Sequence, residues 1–223
     1  MADPRRPDGH GQKPGRRVRP GSVAVFCLRH GESENVIAGA AGVVPLAPLT
    51  RIGTAQAVAA AGVLAAEGLT RIYCSTAVRA RETAAVVAAG LGLDPAVDVV
   101  VMPELDEAGV GSADGATDPV TRRRAAEVLH AWVVGDDLDQ RVADGESGHE
   151  VFDRVSRAFE AISSAHDGEA VAVVGHVASL TVGLSVLCGL GGTVWGEPLP
   201  HAVPFLVSRD GPVWSCEFWP SGT

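Results

Sequence analysis

The sequence predicts a three-layer α/β/α sandwich with a mostly parallel central sheet and an antiparallel hairpin at one edge. Three observations carry this. Short apolar runs rich in Val alternate with longer Ala-rich or amphipathic stretches, the pattern of strands alternating with helices. The last two apolar runs flank Asp210-Gly211, a hairpin signal. The 223 residues, 46% of them apolar, suffice to bury the core of one such domain.

Residues 1–20, rich in Pro, Gly and Arg, read as a disordered basic tail; residues 21–223 read as a single domain. Ser22–Leu28 is the first strand. Thr50 is a plausible N-cap, followed by an Ala-rich helix over Thr54–Glu67 that Gly68 ends. Arg71–Ser75 is a strand, Arg79–Ala89 a helix closed by Gly90, and Val97–Met102 a strand. Residues 103–117 are irregular. Pro119–Val134 is a helix, and the polar text "GDDLDQRVADGESG" a loop. Glu150–Ala165 is amphipathic: Val151, Phe152, Val155, Phe159 and Ile162 recur at helical spacing. "AVAVVGH" is a strand and Ala178–Cys188 a helix, followed by the edge hairpin.

Charge narrows the function. The formal net charge is −9, and residues 1–22 carry six cations against two acids, a local +4 that leaves −13 for the rest. Such a body argues against nucleic acid as a partner, and any anion site must be built locally against the overall field. Cys27, Cys74, Cys188 and Cys216 form no CxxC and read as reduced thiols of a cytoplasmic protein. Ser22–Leu28 after Arg16-Arg17 superficially resembles a signal peptide, but the run is short and no small-residue cleavage site follows. Ala170–Gly196 lacks Asp, Glu, Lys and Arg, yet His176 and its glycines favour a strand and a buried helix over a membrane span. No membrane partner is expected, and a homodimer is left open.

The chemistry lies at strand ends, where open α/β sheets bind ligands. "AVFCL" runs into Arg29 and His30, and "AVAVVG" into His176. "RIYCS" leads to Arg79 at a helix start, and "VDVVVM" to Glu104, Asp106 and Glu107. If these strands are neighbours, two histidines, two arginines and an acid share one crevice. Guanidiniums clamp phosphoryl oxygens in pairs. A neutral imidazole is a nucleophile for phosphorus. A carboxylic acid can protonate a leaving oxygen and then deprotonate water. At this level all three acids are candidates.

"LRHGESEN" resembles the RHG motif of the histidine phosphatase superfamily, the phosphoglycerate mutase-like family. "PLAPLTRIGTAQA", "CSTAVRARETA", "ELDEAGVGSADG", "DGES" and "VVGH" are similar to the family's other segments, in order. The resemblance implies a phosphoglycerate mutase-like fold and a phosphohistidine intermediate on His30. It implies phosphate clamping by Arg29 and Arg79, charge stabilisation by His176, Glu107 as proton donor and Asn35 lining the pocket. No metal and no cofactor is implied, and the partner is a small phosphorylated metabolite. Ala108 and Gly109 depart from the aromatic and Trp-Glu-Gly text of many members and leave a small wall there. Glu104 and Asp106 stay as rival acids.

Blander readings apply elsewhere. Arg81 is a surface residue. Arg122, Arg123 and Arg124 are a solvated helix face first and a reach toward a second substrate anion second. His149 is a loop histidine; His130, His166 and His201 are unassigned. The mutases of the family carry a Glu-Arg-His-Tyr-Gly text and a downstream lysine. Here the sole lysine is Lys13, so a metal-independent phosphomonoesterase is expected. The alternatives are a phosphoglycerate mutase-type phosphotransferase or a catalytically silent phosphate-binding protein.

Overall fold

A computed structural model describes residues 16–220. Among these, six strands form one sheet in the order β3-β2-β4-β1-β5-β6. The strands are β1 (Ser22–Arg29), β2 (Arg71–Cys74), β3 (Val99–Val101), β4 (Ala170–Gly175), β5 (Phe205–Asp210) and β6 (Val213–Cys216). The four strands β3, β2, β4 and β1 run parallel, while β5 and β6 are antiparallel. The expected three-layer arrangement and edge hairpin are therefore present. Gly211 turns the hairpin at φ +57°, a conformation costly for other residues.

Period-two alternation builds both cores. Val23, Val25 and Cys27 of β1, with Val171 and Val173 of β4, face one way, toward Phe159, Leu180 and Trp214. Ala24, Phe26 and Leu28, with Ala172 and Val174, face the other way, toward Ala60, Leu64, Ala84 and Val87. The helices are α1 (Glu34–Ala38), α2 (Arg51–Leu64), α3 (Val78–Leu91), α4 (Pro119–Val133), α5 (Gly148–Ala165) and α6 (Val177–Leu187). The second core seats α2 and α3; the first seats α5 and α6, with Val128 and Trp132 of α4.

Several boundaries differ from the expectation. Thr50 does cap α2, its side chain accepting from Gly53 N at 3.0 Å, so the helix begins at Arg51 rather than Thr54 and ends three residues sooner. Gly90 does not close α3; Gly92 does, at φ +75°. Gly90 serves packing instead, since a Cβ there would lie 2.6 Å from Ala61 Cβ of α2. The expected strand Val97–Met102 contracts to β3, because residues 94–98 form a turn in which Val97 N and Asp98 N both reach Asp94 O. The short α1 was not anticipated. His149 lies in the first turn of α5 rather than in a loop; Ser147 and Glu150 start that helix with a reciprocal capping box.

Of the segment expected to be a disordered tail, residues 1–15 lie outside the described residues. In residues 16–20, Val18 packs on the α2/α3 core and Arg16 pairs with Glu67 at 2.8 Å. Among the described residues no helix is long and apolar enough to cross a membrane.

Candidate active site

Sheet register assembles the site. β1 and β4 are adjacent, with Arg29 opposite Gly175, so the next residue of each strand is a histidine. His30 N donates to Gly175 O at 3.0 Å, and the His30 and His176 rings lie 5.0 Å apart. β2, beside β4, ends at Cys74; Ser75 follows, and α3 then delivers Arg79, whose side chain is among the largest fully buried of the described residues.

The hydrogen bonds of His30 define its tautomer. Its Nδ1 lies 2.7 Å from Gly31 O; a carbonyl only accepts, so Nδ1 carries the proton and Nε2 the lone pair. Arg79 Nε, 3.1 Å away, points a donor at that lone pair. Burial, helped by the guanidiniums of Arg79 and Arg29, holds the imidazole well below its ordinary pKa of 6.5, against the pull of the Gly31 carbonyl. His30 is therefore neutral at pH 7.

His176 is fully buried, and burial, then His30 and Arg79, drive its pKa well down as well. Its Nε2 meets Ser75 Oγ at 2.6 Å and its Nδ1 meets an Arg79 Nη at 3.2 Å. Arg79 spends its two terminal nitrogens on Val44 O and Val43 O too, at 2.8 and 2.9 Å. A phosphoryl group would compete with those carbonyls. Arg29 donates to Leu199 O at 3.0 Å, while its Nε is buried with no partner among the described residues. Burial lowers its pKa to about 10, opposed by Glu107, so it stays cationic at neutral pH.

The three candidate acids separate clearly. Asp106 is committed to the β2–α3 connection, accepting from Thr76 N at 2.7 Å and from Thr76 Oγ1. Glu104 sits on a half-buried 3-10 turn, and no hydrogen bond joins its carboxylate to the other site groups among the described residues. Glu107 reaches the α6 N-terminus beside His176, accepting from Ser179 N at 3.0 Å and Ala178 N at 3.3 Å. Asn35 is buried in α1, its Oδ1 accepting from Ser33 Oγ at 2.7 Å. Arg124 is turned away from this site, bonded to Gln140 Oε1 and Arg141 O; Arg122 and Arg123 are exposed.

Some positions that shape the site carry no signal readable from sequence. Arg154 of α5 donates to the carbonyls of Glu104, Asp106 and Glu107 and to both carboxylate oxygens of Glu146, at 2.7–3.1 Å. It holds the loop that presents Glu107, and an arginine on an amphipathic helix looks like any solvated charge. His201 lies 5.8 Å from His30, and its Nδ1 donates to His30 O at 3.0 Å. Thr83 accepts from Gly31 N at 3.1 Å, tying the nucleophile loop to α3.

Comparison with known proteins gives the family and the fold. Residues 25–219 match the histidine phosphatase superfamily (branch 1). The chain is 30% identical over 180 residues, 78% of each chain, to a probable phosphoglycerate mutase, GpmB, of Escherichia coli. It superposes on a mycobacterial glucosyl-3-phosphoglycerate phosphatase solved with VO3 (TM-score 0.74, 25% identity, 89% of this chain and 99% of that one). It also superposes on a phosphoglycerate mutase from Bacillus anthracis (TM-score 0.76, 17% identity, 89% and 92%). With the ordered motifs converging on one crevice and the match running almost from the first strand to the last residues described, the chain belongs to the histidine phosphatase superfamily.

Proposed function

We propose that the protein is a metal-independent phosphomonoesterase acting through a phosphohistidine on His30. The observation that supports this most is the pairing of His30 Nδ1 with Gly31 O, which points a neutral Nε2 into a crevice shared with His176, Arg29 and Arg79. In the first step Nε2 forms an N–P bond as the ester P–O bond breaks. Protonated Glu107 gives its proton to the leaving alcohol oxygen. In the second step water attacks phosphorus, its proton passes to Glu107, the N–P bond breaks and inorganic phosphate leaves. Arg29, Arg79 and His176 stabilise the charge on the equatorial oxygens; Asn35 lines the pocket.

Sequence similarity to a probable phosphoglycerate mutase supports a second reading, transfer back to a bound phosphoglycerate. The first is favoured because the wall beside Glu107 offers no cation for a substrate carboxylate or second phosphate. The experiment is hydrolysis of p-nitrophenyl phosphate with and without EDTA, alongside interconversion of 2- and 3-phosphoglycerate. Hydrolysis unaffected by EDTA and abolished by His30→Ala is expected. Phosphoglycerate interconversion outpacing hydrolysis would establish the mutase. Absence of turnover between pH 5 and 8 would leave a phosphate-binding protein.

A further inference from the structure

A cavity of about 210 Å³ opens beside Glu107, walled by Ala108, Ala125, Leu129, Trp132 and Ala178 among others. It exceeds the roughly 150 Å³ apolar cavity that accommodates benzene. Among the described residues, Glu107 is the one charged residue in its wall. A larger cavity of about 420 Å³ lies between α3 and β3, near Arg81 and Glu82, and includes none of the site residues.

We infer that the cavity beside Glu107 receives the organic part of the substrate, so that the preferred phosphomonoesters are those of apolar, ring-sized alcohols. The inference rests on the proposed hydrolysis, because it takes Glu107 as the donor to the leaving oxygen. The carboxylate of Glu107 is fixed by the amides of Ala178 and Ser179, and Ala178 and Ala108 form the same wall. Whatever is bonded to the leaving oxygen therefore enters this cavity. Small residues, Ala108 and Ala125, make the room. The indole N–H of Trp132 is already bonded to Gln140 O at 2.9 Å, so its ring offers apolar surface. A second anion in the cavity would face Glu107, and Arg124 and Arg154 are engaged elsewhere.

The test compares 2-phenylethyl phosphate with glycerol 1-phosphate, both esters of primary alcohols, so leaving-group chemistry is similar. The kcat/KM for the phenylethyl ester is expected to be higher by roughly tenfold or more, the scale of discrimination in apolar pockets. Ala125→Phe, which fills the cavity, and Leu129→Asp, which charges it, should each collapse that ratio, with thermal melting confirming the fold. Binding of the corresponding non-hydrolysable phosphonates, 3-phenylpropylphosphonate and 3,4-dihydroxybutylphosphonate, reads the cavity independently of turnover. Equal binding and equal kcat/KM, or a preference that survives both folded variants, overturns the inference. Preferential binding of the phenyl phosphonate with neither ester hydrolysed supports the cavity assignment and overturns the hydrolase reading instead.

Discussion

At the residue scale, the proposed chemistry rests on the tautomers of two histidines. Arg79 can only donate, so His176 Nδ1 accepts from it and Nε2–H donates to Ser75 Oγ at 2.6 Å. A phosphoryl oxygen needs the opposite: a donor on Nδ1. The Ser75 hydroxyl can reverse, giving its proton to Nε2 while Ala77 N donates to its oxygen at 3.3 Å. Ser75 is thus a positioning residue for His176. Ser75→Ala should lower kcat by an amount on the scale of an unpaired buried polar group, about 1–3 kcal/mol, with KM little changed and the pH profile of kcat displaced. An unchanged kcat and profile would refute the role. Arg79 engages four acceptors with one planar fork, which a lysine cannot reproduce. Arg79→Lys should cost about a hundredfold in kcat/KM, the cost of losing an electrostatic donor; steady-state kinetics decide it. Arg29, His30 and His176 were legible in the sequence because strands end in them. Ser75's part was not, because a serine at a strand end has many local uses.

At the element scale, the nucleophile loop is held by two backbones crossing at glycines. A Cβ on Gly31 would lie 2.4 Å from Gly53 O, and one on Gly53 would lie 1.9 Å from Glu32 O. Both obstacles are backbone, so neither can turn aside. Gly53→Ala should destabilise the protein by about 1–3 kcal/mol, the usual cost of overpacking, and displace His30, lowering kcat; a melting temperature and rate equal to those of the wild type would contradict this crossing. Facing it, Arg154 ties the Glu107 loop to α5 with its side chain only 12% exposed. Removing it takes the side-chain donor from three carbonyls and leaves Glu146 only the Gly109 amide. Arg154→Met should lower stability by about 3 kcal/mol and reduce kcat, read by thermal melting and turnover. Element order, the hairpin and the amphipathic α5 were legible because their spacing repeats locally. The glycine crossing, the Gly90–Ala61 contact and the Arg154 brace were not, because each depends on residues far apart in sequence. The partners that separate the three acids were likewise not legible: Thr76 occupies Asp106, and α6 receives Glu107.

At the scale of the whole molecule, an acidic chain encloses a cationic crevice, and burial of three histidines links its stability to pH. His30, His176 and His201 all titrate below their ordinary value in the folded state, with burial the largest cause. Between the folded and unfolded values the unfolded chain binds more protons, so stability rises with pH in that window. It should be fully present above about pH 6.5 and be lost progressively as the pH falls below it. Melting temperatures between pH 7.5 and 5 should show this fall, and His176→Phe should flatten it; an unchanged slope would dismiss the assignment. The sandwich was legible from patterning because each strand alternates between two cores. The side on which the crevice closes, with Val43 and Val44 carbonyls over Arg79, depends on the path of the 39–47 segment and was not. The central claim is the covalent intermediate. The most direct measurement is rapid quench of the protein in alkali during turnover of a phosphomonoester, followed by mapping of the phosphoryl group by mass spectrometry. The account predicts an acid-labile, alkali-stable phosphoryl group on the peptide bearing His30 and none in His30→Ala. Turnover without a label on His30, or with the label on another residue, would contradict it.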